Sequence, residues 1–305
     1  MANNIQLITK FTPKLDAKFR QDAKTGILEA DETWYRETRN AKTIEVAKVA
    51  CDGMGDYSRT NGYTDGDITI NWEQHTFSHD RGRRFNLDVM DEEESLASQY
   101  FDKVRYIEEN YVIPEIDATR FATIASTTGV MKATGTLSDT TTKDAINTAI
   151  ANLEENECDT ANLVIFATPT VKSYLENEVP RSFSSGQTRY NQKIDYYNEI
   201  PLISVPQRRF YTAIDLYDGT STGETAGGYV KHVATAATGD VAGKDINFII
   251  MDKSAAFGIV KHSVAKVMPP EQNPFKDGYL IFFRYYHDLF ALEQKADGIY
   301  VHHKA

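Results

Sequence analysis

The feature that most limits how this chain can fold is a strand-like excursion over residues 41–90 that cannot stand on its own. Thr43, Ile44, Val46 and Val49 form a β-branched run. Residues 52–67 follow, dense in turn formers and glycines (Gly53, Gly55, Gly62, Gly66). Ile68, Ile70 and Trp72 then alternate with polar residues, which predicts a half-buried strand. Thr76-Phe77 and residues 83–88 predict a second strand pair around a turn at Asp80-Arg81-Gly82. An isolated hairpin is only marginally stable in water, so this one needs a surface to rest on. The glycines at its tip give that segment many backbone conformations.

The flanking segments point the same way. Residues 1–40 mix short apolar groups with charge, and Pro13 falls among Phe11, Leu15 and Phe19, which otherwise share helical spacing. That reads as an extended arm that gains order by lying on something else. After the excursion comes the clearest helix, 91–110. Asp91 caps it, Glu94 sits at the capping-box position, and Glu92 and Glu93 favour its positive start. Leu96, Tyr100, Val104, Ile107 and Tyr111 build one apolar face. Pro114 predicts a break there and the first residue of a second helix, through Ala125, with Ile116, Arg120, Phe121 and Ile124 on its inner side.

Beyond Gly129 helix and strand alternate. Thr142 is placed to cap a helix carrying Ile146, Ile150 and Leu153. Residues 163–167 read as a buried strand, and Thr168-Pro169 opens a helix with Val171, Tyr174 and Leu175. Further strands fall at 200–205, 246–251 and 256–260, with a polar loop at 181–189 and one weak hairpin near 229–233. Pro269-Pro270 and Pro274 are expected to mark a crossing between units. Residues 279–292 are strongly β-prone, and a last strand at 298–302 is expected to pair with the preceding strand or the helical beam. The class is α+β.

Composition narrows the function more than any motif does. The 305 residues carry a net charge of −11, which argues against a protein that grips nucleic acid through phosphate neutralisation. No apolar run reaches the roughly 20 residues of a membrane span, and the start lacks a secretion signal. Cys51 and Cys158 read as free thiols. His75 and His79 are four apart but on strand and turn rather than helix, so they do not read as metal ligands. His302-His303 is expected at the surface. Gly53 and Gly55 lack the third glycine and following helix of a dinucleotide site, and no nucleophile elbow or Walker sequence occurs. No catalytic, cofactor-binding or metal-binding residue is assigned. Arg81, Arg83 and Arg84 form the densest basic cluster and are expected to meet acids across a subunit boundary. With Arg59 and Tyr63 at the tip, and Glu92 and Glu93 at the helix start, they are the candidate inter-subunit contacts.

The run Arg84-Phe85-Asn86-Leu87-Asp88, the acids 91–94, and Val112-Ile113-Pro114-Glu115-Ile116-Asp117 with Arg120-Phe121 resemble Hong Kong 97-type major capsid proteins of tailed bacteriophages. So does the passage from Tyr196-Tyr197-Asn198 into Ile200-Pro201. The resemblance covers nearly the whole chain, by pattern more than identity. It implies an N-terminal arm (1–40), an extended β loop (41–90) and a peripheral domain made of a spine helix (91–127) and return strands (265–305). Residues 128–264 would form the axial domain. It further implies self-assembly through hexamers and pentamers into an icosahedral head enclosing double-stranded DNA, without sequence-specific contact and without a membrane. The implied partners are a separate scaffolding protein and a portal protein, and the implied location is the virion capsid, assembled in the bacterial host cytoplasm. Lys42 and Lys48 would be cross-link candidates by location alone. An encapsulin-like cargo shell, or a soluble α/β enzyme or glycan-binding protein, are the rival readings.

Overall fold

A computed structural model describes residues 23–29, 35–37, 42–60, 62–89, 105–178, 195–235, 239–274 and 277–305. Most of the expected arm, most of the first helix with Glu92 and Glu93, and the polar loop at 181–189 lie outside them. In chain order the first strands are β1 (Arg36–Glu37), β2 (Thr43–Cys51), β3 (Ile68–Thr76) and β4 (His79–Asp88). Then come helix α1 (Ile113–Ser126), β5 (Met131–Thr134), α2 (Thr142–Glu155), β6 (Leu163–Ala167) and α3 (Pro169–Glu178). The strands β7 (Tyr196–Tyr197), β8 (Ile200–Ser204), β9 (Ile214–Tyr217) and β10 (Gly228–Lys231) follow. Last are β11 (Ile246–Asp252), β12 (Ala256–Met268), β13 (Gly278–Ala291) and β14 (Ile299–His303).

Two sheets carry the core. The first has six strands in the order β5-β14-β11-β6-β8-β7. Its central strands read as unbroken apolar runs because both faces are covered. Phe248 and Ile250 of β11 pack with Ile146, Ile150 and Leu153 of α2 and Val171 and Leu175 of α3. Ile249 and Met251 turn the other way, toward Phe121 and Ile124 of α1. The Phe121 ring meets Phe166 and Phe210 edge-on, at 5.2 and 4.8 Å. α2 starts as expected, but Thr141 takes the cap position, and the Thr142 hydroxyl donates instead to the Ser138 carbonyl at 2.7 Å.

The second sheet is β12-β13-β4, all antiparallel. α1 crosses it too: Ile113 and Ile116 pack on Ile281, Phe283 and Tyr285. One helix thus serves two sheets, which explains why Ile116, Phe121 and Ile124 are all fully or almost fully buried.

Several expectations are corrected. The chain does not turn at Asp80-Arg81-Gly82: β4 runs straight through, and Gly82 is needed because a Cβ there would lie 2.9 Å from the Phe283 carbonyl oxygen. Pro114 does not break the helix. Helical residues 105–107 continue through a π turn (Glu108–Val112) into α1; this wider turn absorbs the missing proline N–H without ending the rod. Pro269 and Pro270 belong to the short link that joins β12 to β13 within one sheet, not to a crossing between units. β14 pairs antiparallel with β11 and parallel with β5, not with β13 or the beam. His302 is buried rather than exposed; it stacks on Phe248 at 5.0 Å and lies 3.0 Å from the Asn247 amide nitrogen.

Candidate functional site

Three features stand apart from ordinary core packing, and the first is the β2–β3 hairpin. Its root is anchored: Ile44, Val46 and Phe77 pack against Phe257, Ile259 and Phe290. Beyond the root the apolar residues change face. Paired residues of an antiparallel ladder share a side, and the register sets Ala47 opposite Trp72, Val49 opposite Ile70, and Cys51 opposite Ile68. These six residues form one apolar stripe that the described residues leave largely open, apart from the Arg36 guanidinium 5.7 Å over the Trp72 ring, with Ile68 75%, Ile70 59%, Val49 54% and Trp72 51% exposed. The expected half-burial of this strand is therefore not met among the described residues. Lys48, Asn71 and Glu73 occupy the opposite side, with Lys48 3.9 Å from Glu73. At the tip, exposed Tyr57 and Tyr63 contact each other edge-on at 4.9 Å. Exposed apolar surface gathered this way marks an interaction site.

The second feature is a buried charged knot under residues 23–29. Asp117 and Arg120, one helical turn apart on α1, are both 0% exposed. Asp117 accepts from the backbone of Lys24 and Thr25 (3.0 and 3.1 Å), from the Thr25 hydroxyl (2.7 Å) and from Arg209 (3.1 Å). Arg120 donates to the Thr25 hydroxyl (3.1 Å) and to Glu29 (3.4 Å). Gly258 makes room for its guanidinium, since a Cβ there would sit 2.7 Å from Arg120 Cζ. Burial lowers the Arg120 pKa, and Glu29 and Asp117 pull against that. Nearby His287 is 1% exposed and stacks on His79 at 5.8 Å. Burial, then the charges of Arg120 and His79, hold its pKa down to about 3. Burial pushes Asp288 up, but hydrogen bonds from His79 and Ser78 outweigh it and leave the carboxyl below its usual range.

The third feature is a clasp over a groove. Arg81 of β4 pairs with Glu115 at 2.6 Å and donates to the carbonyls of Tyr217 (2.8 Å) and Gly228 (3.4 Å). Arg83 donates to the Thr225 carbonyl (2.9 Å) and to that of Ala226. Two guanidiniums thus hold the β9–β10 hairpin to the second sheet. Beneath lies a groove of about 650 Å³, whose walls include Phe85, Tyr106, Tyr111, Thr220 and Arg83. The π turn shapes one wall. Residues five apart in an α-helix lie about 140° apart around the axis, whereas an i→i+5 repeat returns the fifth residue over the first. Tyr106 and Tyr111, both exposed, accordingly meet at 6.3 Å.

Arg59 and Tyr63 sit exposed at the hairpin tip. Arg81 and Arg83 face the groove with partners in their own chain, while Arg84 follows on β4 with its side chain exposed. Alternation flagged Ile68, Ile70 and Trp72, but nothing local told that their cover is missing. The knot and the tyrosine pair gave no sequence signal, because the first joins residues about ninety apart and the second needs a π turn. Among the described residues no group of three or more His, Cys, Asp or Glu is placed to hold a metal ion, and no helix is long and apolar enough to cross a membrane.

No protein-family model matches the chain, and no curated protein matches it. Solved structures do. A chain from the capsid of cyanophage P-SCSP1u is 14% identical, with 88% of this chain and 85% of that chain covered and a TM-score of 0.63. A chain from Microbacterium phage Oxtober96 is 12% identical over 91% of each chain, with a TM-score of 0.57. A chain from the capsid of an empty GTA particle is 10% identical, covering 93% of this chain and 90% of that one, with a TM-score of 0.54. At such identities the likeness is one of fold: the chain has the mixed α/β fold of phage capsid subunits, over nearly its whole length.

Proposed function

We propose that the chain is the major capsid protein of a tailed phage, a shell subunit that works by self-association. The observation that carries this reading is the largely uncovered stripe of Val49, Ile68, Ile70 and Trp72 on a hairpin whose packing into the core is at its root. An isolated hairpin of this kind gains stability once a neighbour covers it, and the fold shared with capsid subunits supports a second copy as that neighbour. The stripe lies over an adjacent copy, and the six-stranded unit gathers around symmetry axes into hexamers and pentamers. Each contact is modest, and closure of the shell multiplies them. The net charge of −11 suits a wall that encloses double-stranded DNA without gripping it. A separate scaffolding protein and a portal protein complete the assembly in the host cytoplasm.

Electron microscopy of the purified protein, alone and with a candidate scaffold, tests this. Rings or closed shells are expected under at least one condition. A compact monomer under both would end the reading.

A further inference from the structure

We propose that His232 is a pH-dependent tie, whose two ring nitrogens fasten the chain just after β10 to β9 on one side and to Asp240 on the other. The inference stands apart from the assembly reading above and holds for the single chain, whatever that chain builds.

His232 directly follows β10. Its Nδ1 lies 2.7 Å from the carboxylate of Asp215 on β9, and its Nε2 lies 2.7 Å from that of Asp240. Both lengths are those of charge-assisted hydrogen bonds. An ionised carboxylate can only accept, so each contact needs an N–H from the ring; the imidazolium has two, the neutral ring one. Two carboxylates at bonding distance therefore fit the protonated ring. Hydrogen bonds from the hydroxyl and N–H of Thr235, then from His232, hold the Asp240 carboxyl down to about 2, so it stays ionised throughout.

Asp215 and Asp240 are the charged groups that face the ring. Next to it, Lys231 is bonded to Asp245 at 2.8 Å, and Asp245 also takes Lys304 at 3.2 Å. Backbone bonds from His232 to Ala213 (3.1 Å) and from Gly243 to His232 (3.0 Å) close the same region. None of these contacts depends on the proton of His232. The contact with Asp240 does, and the other bonds to Asp240, from Thr235 at 2.6 Å each, stay within its own stretch of chain. The bond to Asp215, then that to Asp240, lifts the His232 pKa above its ordinary 6.5 against a smaller opposing effect of desolvation. The tie is thus complete below pH 6.5 and is lost as the pH rises through the raised folded value. A neutral ring turns a lone pair toward one carboxylate. Asp215 is held in β9, so Asp240 is the side that yields. Val233 and Val241, 73% and 69% exposed on either side of the bridge, then lose their fixed spacing.

Amide hydrogen exchange of the full-length chain at about pH 6 and about pH 9.5, corrected for intrinsic rates and referenced to β11, tests this. Protection at residues 233–235 and 239–241 is expected to fall about tenfold at the higher pH. Asp240→Asn should abolish that fall, because its amide nitrogen donates to the neutral ring while its oxygen still accepts from Thr235. His232→Gln should also remove the pH dependence, with protection low at both values. Equal protection at both pH values in the unaltered chain overturns the proposal. So does a fall of undiminished size in either variant. If circular dichroism shows that Asp240→Asn does not fold, Asp215→Asn replaces it, its amide donating to Nδ1, with the same expected and overturning results.

Discussion

Ile249 and Ile70 are the same residue in the same kind of structure, the middle of an antiparallel strand, yet their surroundings are opposite. Ile249 on β11 is 0% exposed, closed in by α1 and its neighbours in the sheet. Ile70 on β3 is 59% exposed, in an apolar stripe that the described residues leave largely open. Burying an isoleucine side chain is worth about 1.5–3 kcal/mol. The first region has already gained that free energy on folding, and the second still has it to gain. The stability of the single chain and its capacity to associate therefore sit in different strands, and mutations should separate them.

The largest expected effect is at the knot. Asp117→Ala strands buried cations and the Thr25 N–H, and should cost about 3–5 kcal/mol, read as a fall in the urea midpoint. Next comes Ile249→Ala, which leaves a cavity in the six-stranded sheet and should cost about 2–5 kcal/mol. Acid should have a smaller, graded effect through His287. In the unfolded chain this histidine takes a proton near its ordinary value of 6.5, and in the folded chain only near 3. Between those values the unfolded state binds more protons, so stability is full above pH 6.5 and falls as the pH drops toward 3. Urea unfolding at pH 7, 5.5 and 4 should show this slope, and His287→Phe should flatten it. The smallest effect on the chain belongs to the stripe. Ile70→Ser should move the unfolding midpoint by no more than about 0.5 kcal/mol, while shell yield by sedimentation drops several-fold. A large loss of chain stability from Ile70→Ser would erase the contrast between the two regions.

What the sequence made legible follows the same division. Residues 163–167 and 246–251 read as buried strands because their apolar runs are local and unbroken. The inner side of α1 was readable from the spacing of Ile116, Arg120, Phe121 and Ile124. Pairings between distant segments were not readable. That β14 slots between β11 and β5, or that Thr25 bonds to Asp117, depends on tertiary arrangement and leaves no mark on the residues nearby. Pro114 misled because proline excludes an ordinary helical hydrogen bond but tolerates a π turn. Gly82 misled because glycine serves a close strand approach as well as a turn. For the candidate site, the hairpin was visible as alternation and glycine content, but its exposure shows only in the folded arrangement of the described residues.

The place of β14 also sets a schedule. Its partners β5 and β11 are made well before it, and the gap from β5 amounts to some 165 residues, counted from 134 to 299. At bacterial and eukaryotic synthesis rates of about 5–20 residues per second, a growing chain waits roughly 8–33 s with that seam open. Throughout this wait the unpaired edge of β5 and the bare stripe at Ile68, Ile70 and Trp72 are displayed together, and the edge of β11 joins them once Asp252 has been made. Neighbouring unfinished chains could join by either one. Productive assembly thus requires that β14 arrive before the stripes of two chains meet, which makes the rate of chain completion, relative to the local density of ribosomes on one message, a control on yield.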